Sequence, residues 1–287
     1  MHKARIGIIG GSGFYHLEGM TEVREIKVKT PFGDPSDVIT LGHLDGADTA
    51  FLPRHGVGHR ITPTELPSRA NIYALKSLGV EFIIAISTVG SLKEKIKPMD
   101  IVIPDQIIDR STLRPDTFFG NGIVGHIAFA DPFCPALSNV LYEAAHKAGI
   151  RVHVGGICIA MEGPQFSTRA ESELYRSWGA DVVLMTVLPE AKLAREAEIC
   201  YAMMAIVTDY DCWNELSETV SAEMVISNLQ KSIAAAKNIL RFAITNLPKT
   251  RGCVCTSALK NAIVTAPEMI PDKVKKDLDI IIGKYIK

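Results

Sequence analysis

The chain has 287 residues, 47% of them hydrophobic and 22% charged, and its 31 basic against 32 acidic side chains leave a formal net charge of −1. That balance argues against nucleic acid as a partner, because phosphate backbones are held by clustered basic surface. Small molecules are the expected partners. No apolar run reaches the ~18 residues of a membrane span, and the run at residues 6–9 is shorter than a signal peptide's apolar core, so a soluble, cytoplasmic protein with no membrane partner is expected.

Apolar β-branched runs bounded by Gly, Pro and Asp predict strands over residues 5–9, 49–52, 81–86, 100–103, 152–160, 181–185 and 202–208. Helical spacing lies between several of them, at 68–78, 136–148, 169–178 and 190–199. A long amphipathic helix at about 221–246, ended by Pro248, precedes irregular chain and a short C-terminal helix. This alternation predicts an α/β fold, a single domain over 1–287 with a central mixed, largely parallel β-sheet flanked by helices.

The glycine turn Gly10-Gly-Ser-Gly13 closes the first predicted strand. A dinucleotide turn would read G-x-G-x-x-G, but His16 stands at its third glycine, and the Gly-Lys-Ser/Thr of a P-loop is absent. What remains is either a structural turn or a cradle of amides and the Ser12 hydroxyl for one small anion. Other anion-binding groups follow other strands: Arg54-His55, Ser87-Thr88 and Met185-Thr186. In parallel sheets such strand ends converge, and an arginine fork with several hydroxyls suits phosphate.

A second constellation, Thr208-Asp-Tyr-Asp-Cys-Trp213, ends another apolar strand. In extended chain Asp209 and Asp211 face the same way, and a buried carboxylate pair whose ionisations are pushed apart supplies an acid and an acceptor in one site. A helix cap or a metal loop are the alternatives, though no further acidic residues follow at calcium-loop spacing.

Six cysteines occur, at 134, 158, 200, 212, 253 and 255, and only Cys253 and Cys255 are close in sequence. Their C-x-C spacing lacks the second pair of a zinc site, so no metal is expected; buried thiols and intracellular disulfides both remain open.

Together, Gly10-Gly-Ser-Gly13, Thr30-Pro-Phe-Gly-Asp-Pro-Ser36, Arg54-His-Gly56, Thr88-Val-Gly-Ser-Leu92, Asp100-Ile-Val-Ile-Pro-Asp-Gln106, Glu162-Gly-Pro-Gln-Phe-Ser167, Arg169-Ala-Glu171, Trp178-Gly-Ala180, Met185-Thr186, Pro189-Glu190 and Thr208-Asp-Tyr-Asp-Cys-Trp213 resemble the 5′-methylthioadenosine phosphorylases. These are the adenine-preferring branch of the trimeric purine nucleoside phosphorylase family. The resemblance is collinear from residue 5 to about 240 and leaves a C-terminal extension, 247–287, whose Cys253-Val-Cys255 is similar to that of cysteine-rich, disulfide-stabilised archaeal members.

The resemblance implies phosphorolysis of 5′-methylthioadenosine to adenine and 5-methylthioribose 1-phosphate, with inorganic phosphate as co-substrate, no metal or organic cofactor, and a homotrimer or homohexamer. Ser12, Arg54, His55, Ser87, Thr88 and Thr186 would hold phosphate. Phe166, Ser167, Met185 and Tyr210 would line the nucleoside site, with Asp209 and Asp211 as catalytic and base-binding carboxylates and His126 reaching a neighbouring subunit's 5′ side. Val220, Ala222 and Val225 would border the 5′ group; Ala222 stands where Val is usual, implying a roomier pocket that also takes adenosine. Phosphorylases of 6-oxopurines resemble Gly-Pro-x-Phe-Glu-Thr with a later Thr-Asn, and this chain has Ser167 and Asp209 instead. A carboxylate accepts from an exocyclic amine but donates to an oxo group only when protonated. A 6-oxopurine nucleoside or 5′-methylthioinosine phosphorylase is the alternative.

Overall fold

The computed structural model describes residues 3–214 and 221–286. Its strands are β1 (Ile6–Gly10), β2 (Thr21–Ile26), β3 (Ile39–Leu44), β4 (Ala47–Pro53), β5 (Phe82–Ser91), β6 (Ile101–Ile103), β7 (Gln106–Arg110), β8 (Val152–Val154), β9 (Ile157–Met161), β10 (Val182–Leu184) and β11 (Cys200–Asp209). Its helices are α1 (Ser68–Ser77), α2 (Pro135–Lys147), α3 (Arg169–Ser177), α4 (Glu190–Glu196), α5 (Ala222–Thr245), α6 (Asp272–Asp277) and α7 (Asp279–Ile282). None is long and apolar enough to cross a membrane among the described residues.

One mixed sheet runs β2-β3-β4-β1-β5-β10-β9-β7, and β11 branches from β5 to carry β6 and β8. The central strands are parallel: β4 with β1, β1 with β5, and β5 with β11. Because they are covered on both faces they read as continuous apolar runs, and β1 and β11 are buried at every residue. Among the described residues three apolar clusters hold the layers together, one around Leu52, Leu75, Ala191 and Val207, a second around Phe14, Phe51, Leu141, Met204 and Leu240, and a smaller one around Leu92, Ile159 and Tyr175.

The expected strand over 152–160 is two strands. Gly155 and Gly156 interrupt it at φ +75° and +106°, and a side chain at Gly156 would meet the Asp181 carboxylate at 2.8 Å, a conformation and an approach that suit glycine. Asp181 uses that space to accept the Ile157 N–H at 2.9 Å. Strands β2, β3 and β7 lie outside the runs read from sequence; β2 is exposed at five of its six residues, so no apolar run marks it. The C-terminal extension packs back on the body. Tyr285 donates to Glu198 at 2.5 Å, Lys284 pairs with the same carboxylate at 3.1 Å, and Tyr73 donates to the Asp277 carbonyl at 2.9 Å.

Candidate active site

Parallel pairing places the ends of β1 and β4 side by side, and β5 and β11 run on past them. Gly10 is in register with Pro53, Ile9 with Ala85, and Ala205 with Ser87, so Ser12 and Arg54, just past the ends of β1 and β4, lie beside Ser87 and Thr88, which do not follow a strand as expected but sit inside β5 where it runs on to Ser91. The Arg54 N–H donates to the Gly10 carbonyl at 2.8 Å. Strand β10 runs antiparallel to β5 and returns Thr186 to the same place, where its hydroxyl lies 3.2 Å from that of Ser87. Ser87 and Thr186 are buried, and Ser12 and Thr88 are half-buried.

Arg54 is 0% exposed. Its Nε and Nη2 form a fork on Glu190, at 2.6 and 3.0 Å, and Nη1 donates to the Ile86 carbonyl at 2.8 Å. Tyr201 donates to the same Glu190 carboxylate at 2.8 Å, and burial pushes its phenol well above the usual range, so it stays a donor. A guanidinium has five N–H groups; these contacts use three and leave two. Gly11 makes room for this arrangement, since a Cβ there would sit 2.6 Å from the Ile86 carbonyl oxygen and 3.0 Å from Nη1.

His55 is buried beside it, with Nδ1 2.9 Å from the Ile61 carbonyl and its ring stacked on His59 at 4.2 Å. A carbonyl only accepts, so Nδ1 carries the proton and Nε2 is left as an acceptor. Burial pushes the His55 pKa down to about 4. The imidazole is therefore neutral near pH 7 and suited to accept from a protonated oxygen.

The second cluster sits where β11 ends. A β-bulge between Val207 and Asp209 shifts the register against β5 and brings Asp209 opposite Gly90, where a Cβ would lie 2.9 Å from the Asp209 carboxylate. The bulge redirects the strand end, and the missing side chain on β5 admits the carboxylate. Asp209 is 6% and Asp211 5% exposed. Asp209 accepts the Thr208 hydroxyl at 2.7 Å and the Asp211 N–H at 2.8 Å. Burial raises both pKa values; the charge of Asp211 adds to the rise at Asp209, while the hydroxyls of Ser172 and Ser167 work against it at Asp211. Asp211 Oδ2 and the hydroxyl of its neighbour Ser172 are both buried without a partner within hydrogen-bond distance. A buried carboxylate oxygen left unpaired is costly, so it marks a place where a donor belongs. Trp213 fixes the chain that follows, donating to the Ser91 carbonyl at 2.7 Å under the Arg176 guanidinium.

Among the expected substrate-lining residues, Phe166 is 44% exposed, and the Ser167 carbonyl accepts from Cys212 at 3.3 Å. Tyr210 is half-buried and packs edge-on against Trp213. Met185 lies against Gly163, where a Cβ would meet its sulfur at 2.6 Å. Ala222 is exposed and Val225 half-buried in the first turn of α5, whose Asn228 donates to the Thr208 carbonyl at 2.8 Å and ties the helix to the site. Val220 falls outside the described residues. His126 is exposed and lines an open cavity of about 430 Å³ with Lys192 and Glu196, away from the strand-end residues.

Two arginine pairings were not foreseen. Arg114 forms a 2.9 Å ion pair with Glu162 and donates to the Met185 and Leu188 carbonyls at 2.7 and 2.8 Å; against the effect of burial, the Thr112 N–H, the Thr64 hydroxyl and the Arg114 guanidinium hold the Glu162 pKa down to about 2. It braces the turn that carries Met185 and Thr186. Glu190, the partner of Arg54, belongs to the family-like pair Pro189-Glu190, which by itself implies no role. An Arg in irregular chain and a Glu after Pro carry no local signal of these long-range partners.

Buried hydroxyls and a braced guanidinium face one strand end, and a buried carboxylate pair occupies the next, a layout suited to an anion beside a polar heterocycle. The sequence model of the Phosphorylase superfamily matches residues 5–245. An S-methyl-5′-thioadenosine phosphorylase of Geobacter sulfurreducens is 56% identical over 98% of this chain and 99% of that one. A methylthioadenosine phosphorylase from an antarctic soil metagenomic library superposes with a TM-score of 0.92 at 48% identity, covering 98% and 99% of the two chains. A Schistosoma mansoni adenosine/methylthioadenosine phosphorylase mutant, solved with methylthioadenosine, gives 0.81 at 38% identity over 85% and 91%. The chain belongs to the phosphorylase superfamily and, within it, to the S-methyl-5′-thioadenosine phosphorylase family.

Proposed function

We propose that this chain cleaves 5′-methylthioadenosine with inorganic phosphate, releasing adenine and 5-methylthioribose 1-phosphate, in the cytoplasm. The observation that carries the reading is the buried Asp209/Asp211 pair, with an unpartnered Asp211 oxygen, at the end of the strand next to the one that bears Ser87 and Thr88. Adenine offers an exocyclic amine to such an acceptor, whereas a 6-oxopurine would leave acceptor facing acceptor; discrimination of the order of 10²–10⁴ is expected.

In this reading phosphate lies against Ser12, Ser87, Thr88 and Thr186 and the two remaining N–H groups of Arg54, with a phosphate hydroxyl donating to His55 Nε2. The glycosidic C–N bond lengthens, the ribose gains oxocarbenium character, and a phosphate oxygen attacks the anomeric carbon from the opposite face. Asp209, protonated more readily because of its burial, gives its proton to the departing purine's ring nitrogen, so the bonding electrons leave with adenine. Phosphate's charge stabilises the cationic sugar, and positioning supplies much of the rate. Phe166 packs on the base, Ser167 and Tyr210 close its edge, and Met185 borders the ribose. No step passes through a metal or organic cofactor.

A homotrimer or homohexamer is part of the proposal: His126, exposed beside a cavity that holds none of the strand-end residues, suits a role at a neighbour's 5′ side. Light scattering giving a monomer would remove that part.

Adenine release from 5′-methylthioadenosine, adenosine and inosine, each with and without phosphate, tests the whole. Release from the first only with phosphate, a slower adenosine reaction and no inosine reaction are expected. Phosphate-independent release, or turnover of inosine alone, would overturn the reading.

A further inference from the structure

The C-x-C pair has its missing partners elsewhere in the chain. The sulfurs of Cys134, Cys200, Cys253 and Cys255 all lie within 4.8 Å of one another, although the four residues come from three separate segments. Cys134 is the N-cap of α2, Cys200 opens β11, and Cys253 and Cys255 flank the start of the 3₁₀ turn Val254–Ser257. The Cys134 N–H donates to the Tyr201 carbonyl at 2.8 Å, which fixes α2 against β11 at this point. Cys134, Cys200 and Cys255 are buried and Cys253 half-buried, all among apolar side chains.

We propose that these four cysteines form a structural Zn²⁺ site that fastens the C-terminal extension to the sheet. Four thiolate ligands at about 2.3 Å from a tetrahedral ion stand about 3.8 Å from one another, a spacing the cluster reaches with small side-chain movements. A closed, all-sulfur set selects zinc among the divalent ions and leaves no open position for chemistry. On binding, the four thiols release four protons and Zn²⁺ takes their place, giving a centre of net charge −2. The N-terminus of the 13-residue α2 meets that charge at Cys134.

The site is separate from the reaction. Cys200 begins the strand that Asp209 ends, and nine steps at about 3.3 Å each put roughly 30 Å between them. The ion would act on the fold, joining the helix layer, the central sheet and the extension.

The test uses the full chain purified under reducing conditions without chelator. Plasma mass spectrometry is expected to find one zinc per chain, and Co²⁺ in its place to give the intense visible absorption of a tetrahedral tetrathiolate. Cys134→Ser, Cys200→Ser and Cys255→Ser each lose that absorption, while Cys212→Ser, whose thiol bonds the Ser167 carbonyl, keeps it. If a serine variant does not fold, the Co²⁺ titration of the unaltered chain decides alone. No zinc retained after loading and gel filtration together with no tetrathiolate absorption on adding Co²⁺, or an intact mass matching two disulfides in chain purified without reductant, would overturn the proposal.

Discussion

The two halves of the candidate site are both buried and both charged, yet they are finished to different degrees. At the Arg54 end the charge is already compensated: Glu190 takes a fork of two N–H groups, Ile86 a third, and Tyr201 completes the carboxylate. At the Asp209 end two carboxylates share one pocket, and one oxygen has no partner. A satisfied ion pair in the interior holds its geometry before any ligand arrives, because removing either partner leaves a buried charge exposed to its own desolvation cost. An under-satisfied carboxylate does the opposite, raising its own proton affinity until a donor appears. In the proposed mechanism the first half positions and the second exchanges a proton.

If that contrast holds, substitutions at the two ends fail differently. The largest effect is expected at Arg54. Arg54→Ala leaves Glu190 buried and uncompensated, and should cost about 3–5 kcal/mol of stability together with activity; urea unfolding beside a turnover assay measures both. A stable but inactive variant would show that Glu190 is compensated by other means, and the rigid half would lose its rationale. Asp209→Ala should leave the fold near intact and lower kcat by about 10²–10⁴ with a smaller change in KM. With Asp209 as the acid, kcat falls as pH rises through its elevated pKa. An unchanged kcat would reject the acid role.

Much of this architecture can be read from the chain, and the parts that cannot share a cause. The runs that became β1, β4, β5 and β11 are apolar because both faces are covered, and periodicity finds such strands. Strand β2 escapes because its side chains face solvent, and β3 because Gly42 and His43 interrupt its apolar alternation. In the site, the hydroxyls and the aspartates announce themselves as polar residues that break apolar runs, although Ser87, Thr88 and Asp209 still belong to β5 and β11. What braces them is invisible locally: Glu190 lies 136 residues from Arg54, and Glu162 lies 48 from Arg114. The cysteine cluster is hidden for the same reason, since spacing shows one C-x-C while the fold supplies Cys134 and Cys200.

His55 ties the rigid half to pH. Its folded pKa, about 4, lies below the ordinary value of 6.5, so the unfolded chain takes up the proton first. Stability attributable to the neutral ring is thus full above about pH 6.5 and is lost as pH falls toward 4, by up to about 3 kcal/mol. His55→Gln, which cannot titrate, should flatten that part of the profile in urea titrations at pH 7 and 4.5. An equally steep fall in the variant would assign the acid loss to other groups.

The smallest effect is expected where the site is most open. Ala222 is exposed at the start of α5 and Val225 half-buried one turn on, so a 5′ substituent there keeps contact with water, and added methyl groups recover only part of the ~0.8 kcal/mol each would contribute if fully buried. Ala222→Val should therefore shift the ratio of kcat/KM for 5′-methylthioadenosine over adenosine by roughly two- to tenfold toward the methylthio substrate, through better contact with the sulfur-bearing group and poorer accommodation of a hydrated hydroxyl. The same substitution should not alter the dependence on phosphate, because Ala222 opens α5 and is not at the ends of β1 and β4. A change in phosphate KM without a change in substrate ratio would place the 5′ group elsewhere and make His126, not α5, the residue to vary next.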